Sequence, residues 1–247
     1  MSSSLFTKNQ IKLNQIDSTN RFLLEFNKSS KISGPIVVTA DYQSEGKGRT
    51  SKSWFSNRGE NLLISLLINH NLHINKKFDL SILISLALKD FLSIYLNDDI
   101  HIKWPNDLII KNKKIAGFII DNLVQKSNIH TSVIGIGVNI NQLKFNFFSP
   151  LATSISLENN CNYNLDDMKN NLLSCIENRY INFEKNSTLY NEYLNYLYLK
   201  DKFSFFEINL KRVEAKIINV SEKGELFVQF KNDKIESFLL DEIKFLF

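Results

Sequence analysis

Two hydrophobic periods alternate along this chain, and the changes between them outline its elements. Residues 35–40 (PIVVTA) and 61–69 (NLLISLLIN) are continuous β-branched and aliphatic runs of the length of buried strands. Residues 78–96 keep a helical period, with Ser81, Ser85, Lys89 and Ser93 four apart as the polar stripe of an otherwise apolar helix. Residues 100–102 and 108–110 are apolar again, as is the chain from Ile115 onward. Pro105, which holds Trp104 out of the helical region, and the turn-forming cluster Lys111-Asn112-Lys113 separate these runs, so the stretch reads as strand, tight turn, strand. Residues 132–140 (SVIGIGVNI) form another strand.

Residues 13–16 end a strand, Asp17-Ser18-Thr19-Asn20 is a capping cluster, and Phe22, Leu23, Leu24 and Phe26 follow with helical spacing. Two further helices are predicted over 165–183 and 187–199. Past Asp201 the pattern changes to short strands at 203–210, 213–220, 226–230 and 237–240, separated by polar turns. A boundary near residue 200 divides the chain into a large unit, 1–200, and a small all-β unit, 201–247.

Polar residues inside this apolar frame carry the candidate chemistry. Lys103, Asn106, Asp107 and Lys114 lie within or beside the central strands; they read either as a solvated hairpin tip with Asp107 as a turn former, or, where buried, as groups that face a ligand or satisfy one another. Gly46-Lys47-Gly48-Arg49-Thr50-Ser51-Lys52-Ser53-Trp54 reads either as a long flexible surface loop or as one able to bring backbone N–H groups and positive charge onto a phosphate. It does not end as a Walker A loop does. The cluster at 17–20 serves equally as a helix cap or as a site for a small polar head group. Gly135 and Gly137 interrupt a buried strand, which marks either simple packing or the close approach of another group.

Composition narrows the setting. A net charge of +4 suits an anionic small ligand or acidic partner and falls short of a nucleic-acid footprint. Cys161 and Cys175 fit no zinc or redox spacing, which favours a reduced, cytoplasmic setting. The four histidines form no metal-ligand motif, and His70 and His73 read as surface residues. The longest apolar run, 62–68, is broken by Ser65 and is too short to span a bilayer, and no signal-peptide core is present, so a soluble protein with no membrane partner is expected.

Taken in order, Asp-Ser-Thr-Asn at 17–20, the Gly-Lys-Gly-Arg loop ending at Trp54, Lys-Trp-Pro-Asn-Asp at 103–107, Lys-Ile-Ala-Gly at 114–117 and Gly-Ile-Gly-Val-Asn at 135–139 resemble the motifs of biotin protein ligases. The resemblance covers residues 13 to about 245. It implies an α+β catalytic domain, with a mixed sheet related to class II aminoacyl-tRNA synthetase cores, followed by an SH3-like barrel. It further implies that biotin and Mg-ATP form biotinyl-5′-AMP, and that biotin then passes to a lysine of the carboxyl carrier protein of acetyl-CoA carboxylase.

By the same resemblance, Arg49 and Lys114 belong near the biotin carboxylate and α-phosphate. Lys103 and Asn106 would serve the ATP phosphates and metal, and Lys47 and Gly48 the closing loop. Ser18, Thr19, Asn20 and Gln43, with Gly117, line the biotin side. Trp54 and Asn139, with Gly135 and Gly137, line the adenylate side, and Asp107 orients or deprotonates the incoming lysine. The metal ligands are not specified.

Four positions depart from the family pattern. Lys47 and Lys52 replace arginines and lose the bidentate fork, which predicts a looser hold on the adenylate. Ser51 replaces a glycine, and Asp121 stands where a glutamate is common. Only some fifteen residues precede Asp17, so no DNA-binding repressor domain is expected. A homodimer is compatible with the strand edges. The rival readings are a lipoyl or octanoyl transferase of the same architecture and a non-catalytic binding module.

Overall fold

The computed structural model describes residues 5–29, 34–49, 52–145, 151–181, 183 and 188–246. A seven-stranded mixed sheet runs in the order β1 (Gln10–Leu13), β2 (Ile36–Ala40), β3 (Leu62–His73), β7 (Asn128–Val138), β6 (Lys113–Gln125), β5 (Asp107–Ile110), β4 (Ile100–Lys103). β1 and β2 are parallel and every other pairing is antiparallel. The chain thus folds as the α+β class expected, and the predicted central hairpin is β4, β5 and β6.

Helices cover both faces, which is why the strands read as continuous apolar runs. On one face α1 (Thr19–Ser29) sets Leu23 against Ile36, Val38, Leu67 and Val133. On the other, α2 (Lys77–Ser93) and α4 (Leu165–Ile181) pack against Val37, Ile64, Leu66, Ile68, Ile134 and Ile136. α1 is short and begins at Thr19. Beyond that end, Leu63 of β3, Gly137 of β7, and Gly117 and Ile119 of β6 share the sheet face outside the cover of α1, whose first turn sets Thr19 and Asn20 over Ser65 and Gly135. This uncovered patch is the floor of the site.

A second sheet, in the order β11 (Ile235–Phe238), β10 (Leu226–Phe230), β9 (Lys211–Val220), β8 (Phe203–Ile208), β12 (Ile243–Phe245), follows α5 (Leu189–Asn195). It shares one continuous core with the large sheet, Phe206 and Ile217 belonging to the same cluster as Leu86 and Ile110. Trp104 Nε1 donates to the Gly224 carbonyl at 3.0 Å, tying the central hairpin to this sheet.

Several expectations are revised. The strand over 61–69 extends to His73, and the helix over 187–199 is helical only at 189–195 before Leu197 bridges to Ile102. α3 (Ile155–Asn159) and β12 were not anticipated. In the polar stripe of α2, Ser93 is exposed and Ser81 and Lys89 are half-buried, but Ser85 is fully buried and its hydroxyl has no partner among the described residues. His70 is half-buried rather than superficial, with Nε2 2.9 Å from Ser132 Oγ, and burial pushes its pKa down. His73 is exposed and caps a short 3-10 turn. Thr50 and Ser51 of the loop, Asn182, and Ser187 at the start of the expected last helix lie outside the described residues. Among the described residues, no helix is long and apolar enough to cross a membrane.

Candidate active site

The open patch of sheet is the floor of a cavity of about 890 Å³, and every site residue named from the sequence lines it. Three segments converge on it: the N-terminus of α1, the loop after β2, and the central hairpin. A fourth is the C-terminal run from Asp241 to Leu246, which the sequence did not suggest.

The polar end is assembled by continuing the β1–β2 pairing. Ile16 bridges to Gln43, with Ile16 N–H on the Tyr42 carbonyl at 3.1 Å and Ser44 N–H on the Ile16 carbonyl at 3.0 Å. This places Gln43 beside the helix start, where Oε1 accepts from Thr19 N–H at 2.7 Å and lies 2.9 Å from Thr19 Oγ1. Ser18 Oγ accepts weakly from Arg21 N–H at 3.5 Å, so Ser18 is both helix cap and cavity wall. Asp17 accepts from Ser18 N–H and pairs with Arg21. The backbone bond and the guanidinium, opposed by slight burial, hold its carboxyl below the usual range.

Asn20 crosses the floor, with Nδ2 2.9 Å from Asp121 Oδ2 and Oδ1 2.6 Å from Ser65 Oγ. Its presence explains the first strand glycine. A Cβ on Gly135 would stand 2.4 Å from Asn20 Oδ1, and one on Gly137 would stand 2.4 Å from Trp54 Cε2. Both glycines therefore admit a side chain close above the sheet.

The two described ends of the loop pair with each other. Lys47 bridges to Ser53, Gly48 N–H donates to the Lys52 carbonyl at 2.7 Å, and Trp54 N–H donates to the Gly46 carbonyl at 2.8 Å. This pairing lays Trp54 over β7, and the indole Nε1 is buried with no partner among the described residues. Arg49 lies 3.7 Å from Asp241 of the C-terminal run.

At the cationic end, Asp107 is buried between two ammonium groups: Lys114 Nζ at 2.6 Å from Oδ1 and Lys103 Nζ at 3.4 Å from Oδ2. Burial alone would raise the pKa of Asp107, but the two lysines outweigh it and the carboxyl is held below its ordinary value. Burial depresses the pKa of Lys103, with Asp107 opposing that shift and Lys114 adding to it. Lys114 also lies 5.3 Å from the centre of the Trp54 ring. Asn106 donates its amide to the Phe118 carbonyl and buried Asn139 donates to the Thr153 carbonyl at 2.9 Å, so both are partly committed to the scaffold.

Residues 13–139 match the Biotin/lipoate A/B protein ligase family. The chain belongs to that family. It is 30% identical over 168 residues to the bifunctional ligase/repressor BirA of Bacillus spizizenii, covering 67% of this chain and 51% of that protein. It is likewise 30% identical over 130 residues to the biotin–[acetyl-CoA-carboxylase] ligase of Paracoccus denitrificans, covering 52% and 53% of the two. The chain thus spans about half the length of the curated relatives it matches. In fold it is similar to the biotin protein ligase of Aquifex aeolicus solved with biotin and ATP. The TM-score is 0.78 at 23% identity, over 96% of this chain and 98% of the other.

Ser65 and Asp121 escaped the sequence reading as site residues. Ser65 sits in an apolar run where alternation alone shows a core position, and Asp121 lies one strand away from the group it holds. The C-terminal wall had no signal at all, because its proximity is created by packing of the second sheet.

Proposed function

We propose that this chain is an ATP-dependent biotin protein ligase that forms biotinyl-5′-AMP and passes biotin to a lysine of the carboxyl carrier protein of acetyl-CoA carboxylase. One observation carries the reading. A single cavity joins a hydrogen-bonding floor (Thr19, Asn20, Gln43), a cationic cluster (Arg49, Lys103, Lys114) and an aromatic wall (Trp54). A ligand with a polar head, a carboxylate and a nucleotide matches all three.

In the first step a biotin carboxylate oxygen attacks the α-phosphorus and the bond to the pyrophosphate oxygen breaks. Both reactants are anionic. Lys114 and Arg49 would draw them together at the reacting centre, and Lys103 with Asn106 would face the departing phosphates. Magnesium enters with ATP. The cavity carboxylates, Asp107 and Asp241, lie beside cationic partners, and no cluster of three or more His, Cys, Asp or Glu occurs among the described residues. Phosphate oxygens and water would therefore be the ion's main ligands.

In the second step the carrier lysine amine attacks the acyl carbon and AMP leaves. Asp107 is too firmly held as a carboxylate to be a strong base, so its role is to attract and orient the incoming amine. Trp54, Gly135, Gly137 and Asn139 would take the adenylate side; Ser18, Lys47, Gly48 and Gly117 complete the biotin side. The large sheet is read as a core related to class II aminoacyl-tRNA synthetases, residues 201–247 as an SH3-like barrel, and the setting as cytoplasmic. A homodimer is compatible with this reading, which needs neither nucleic acid nor membrane.

Pyrophosphate release from Mg-ATP tests it directly. Release should depend on biotin and be negligible with octanoate. Release with octanoate and not biotin would move the chain to the lipoate branch of its family, and release with neither, from folded protein, would leave a binding module.

A further inference from the structure

The floor of the cavity contains more oxygen–oxygen contacts than it has hydroxyl hydrogens, and this count assigns a direction to each. Asn20 lies over the three central strands, held between Asp121 on β6 and Ser65 on β3, with Gly135 of β7 directly beneath. Asn20, Ser65 and Thr19 are all buried, so no solvent hydrogen bond offsets a mismatch.

A carboxylate only accepts, so Asn20 turns its Nδ2 toward Asp121, at 2.9 Å, and its Oδ1 toward Ser65, at 2.6 Å. An amide oxygen also only accepts, so the one hydroxyl hydrogen of Ser65 goes to Asn20. Ser65 Oγ lies 2.7 Å from Thr19 Oγ1 as well, and with its hydrogen committed it must accept there while Thr19 donates. Thr19 then has no hydrogen for Gln43 Oε1, 2.9 Å away. That oxygen is fixed in place independently by Thr19 N–H at 2.7 Å. Two acceptor oxygens, Thr19 Oγ1 and Gln43 Oε1, are left side by side in the cavity wall. An N–H group from a ligand satisfies both.

We propose that Asp121 is a positioning residue that acts through Asn20 and Ser65. By setting the hydrogen direction at Thr19 it makes this wall a pure acceptor, selecting an acid whose head group carries N–H, such as a cyclic urea, over one ending in an alkyl chain or dithiolane. This rests on the biotin reading above. Without an acceptor oxygen at 121 the Asn20 amide is free to turn over, the chain of hydrogens can reverse, and the wall no longer discriminates.

The test measures biotin-dependent pyrophosphate exchange on the full chain as wild type, Asp121→Ala and Asp121→Asn, varying biotin, octanoate and ATP. Asp121 is at the surface, so neither change threatens folding. Asp121→Ala is expected to raise the KM for biotin about tenfold, the size of one hydrogen bond to a charged group, and to narrow the preference for biotin over octanoate. The KM for ATP and the thermal midpoint should stay as in wild type. Asp121→Asn keeps an oxygen acceptor and should restore biotin KM to within about twofold of wild type. A biotin KM in Asp121→Ala equal to wild type, or an equal rise for ATP, would overturn the proposal while leaving the ligase reading intact. Wild-type protein lacking biotin-dependent exchange would remove that reading and the proposal with it.

Discussion

Replacing Asp107 with asparagine keeps the shape of the side chain and removes the charge between Lys103 and Lys114. At 2.6 and 3.4 Å, the two contacts are each worth about 5–6 kcal/mol of raw attraction at an effective dielectric of 20. Desolvation of three charged groups offsets most of that. What the variant leaves behind is two neighbouring ammonium groups, one of them well buried, facing a neutral amide. Loss of one partner from a buried pair costs about 3–5 kcal/mol, and partly exposed Lys114 can swing toward water, so a loss of about 2–4 kcal/mol is expected.

Urea unfolding reads this as a lower midpoint at unchanged slope. The effect has a pH signature. The folded Asp107 carboxyl titrates below its ordinary 3.8, whereas the unfolded one returns to it, so the unfolded chain binds more protons between the two values. The stabilisation is full above the unfolded value and fades as pH falls through the folded one. The gap between wild type and Asp107→Asn should therefore be largest near neutrality and narrow in acid. A variant as stable as wild type at neutral pH, or a gap that does not change on acidification, would refute the reasoning.

Three further outcomes follow from particular contacts. Gly137→Ala places a methyl group where Trp54 lies, at 2.4 Å, so the indole must move; the KM for ATP should rise about tenfold or more, with the change visible in tryptophan fluorescence. Arg179 joins Asp90 of α2 and Glu192 of α5 through four hydrogen bonds of 2.6 to 2.9 Å; Arg179→Met should cost about 1–3 kcal/mol in urea unfolding and leave pyrophosphate exchange unaltered. Lys47→Arg restores a bidentate cation to the loop, so release of the labelled adenylate into solution should slow; equal or faster release would show that the charge alone suffices.

Much of this protein is determined locally and could be read without coordinates. The β-branched runs at 36–40 and 62–68, the helical period of 78–92 and the Pro105 turn each specify their element through side-chain periodicity and backbone restriction, which depend only on near neighbours. Lys103 and Asp107 come together for a related local reason, because the short β4–β5 hairpin sets them opposite each other, whereas Gly117 is what opposes Asp107 on β6 and Lys114 reaches the carboxylate across a register shift in that pairing. The tertiary structure alone decided the rest. Ser85 looked like part of the helix's polar stripe, yet it is fully buried. Ser65 looked like plain core, and it is buried, but the first turn of α1 sets Thr19 and Asn20 on its hydroxyl and so ties it to the cavity wall. Asp121 reaches Asn20 across 101 residues, and Asp241 reaches Arg49 only because the second sheet packs against the first. Periodicity reports which face of an element is buried; what buries it, and where the cover ends, are properties of packing between distant segments, and those gaps in the cover are where this protein keeps its site.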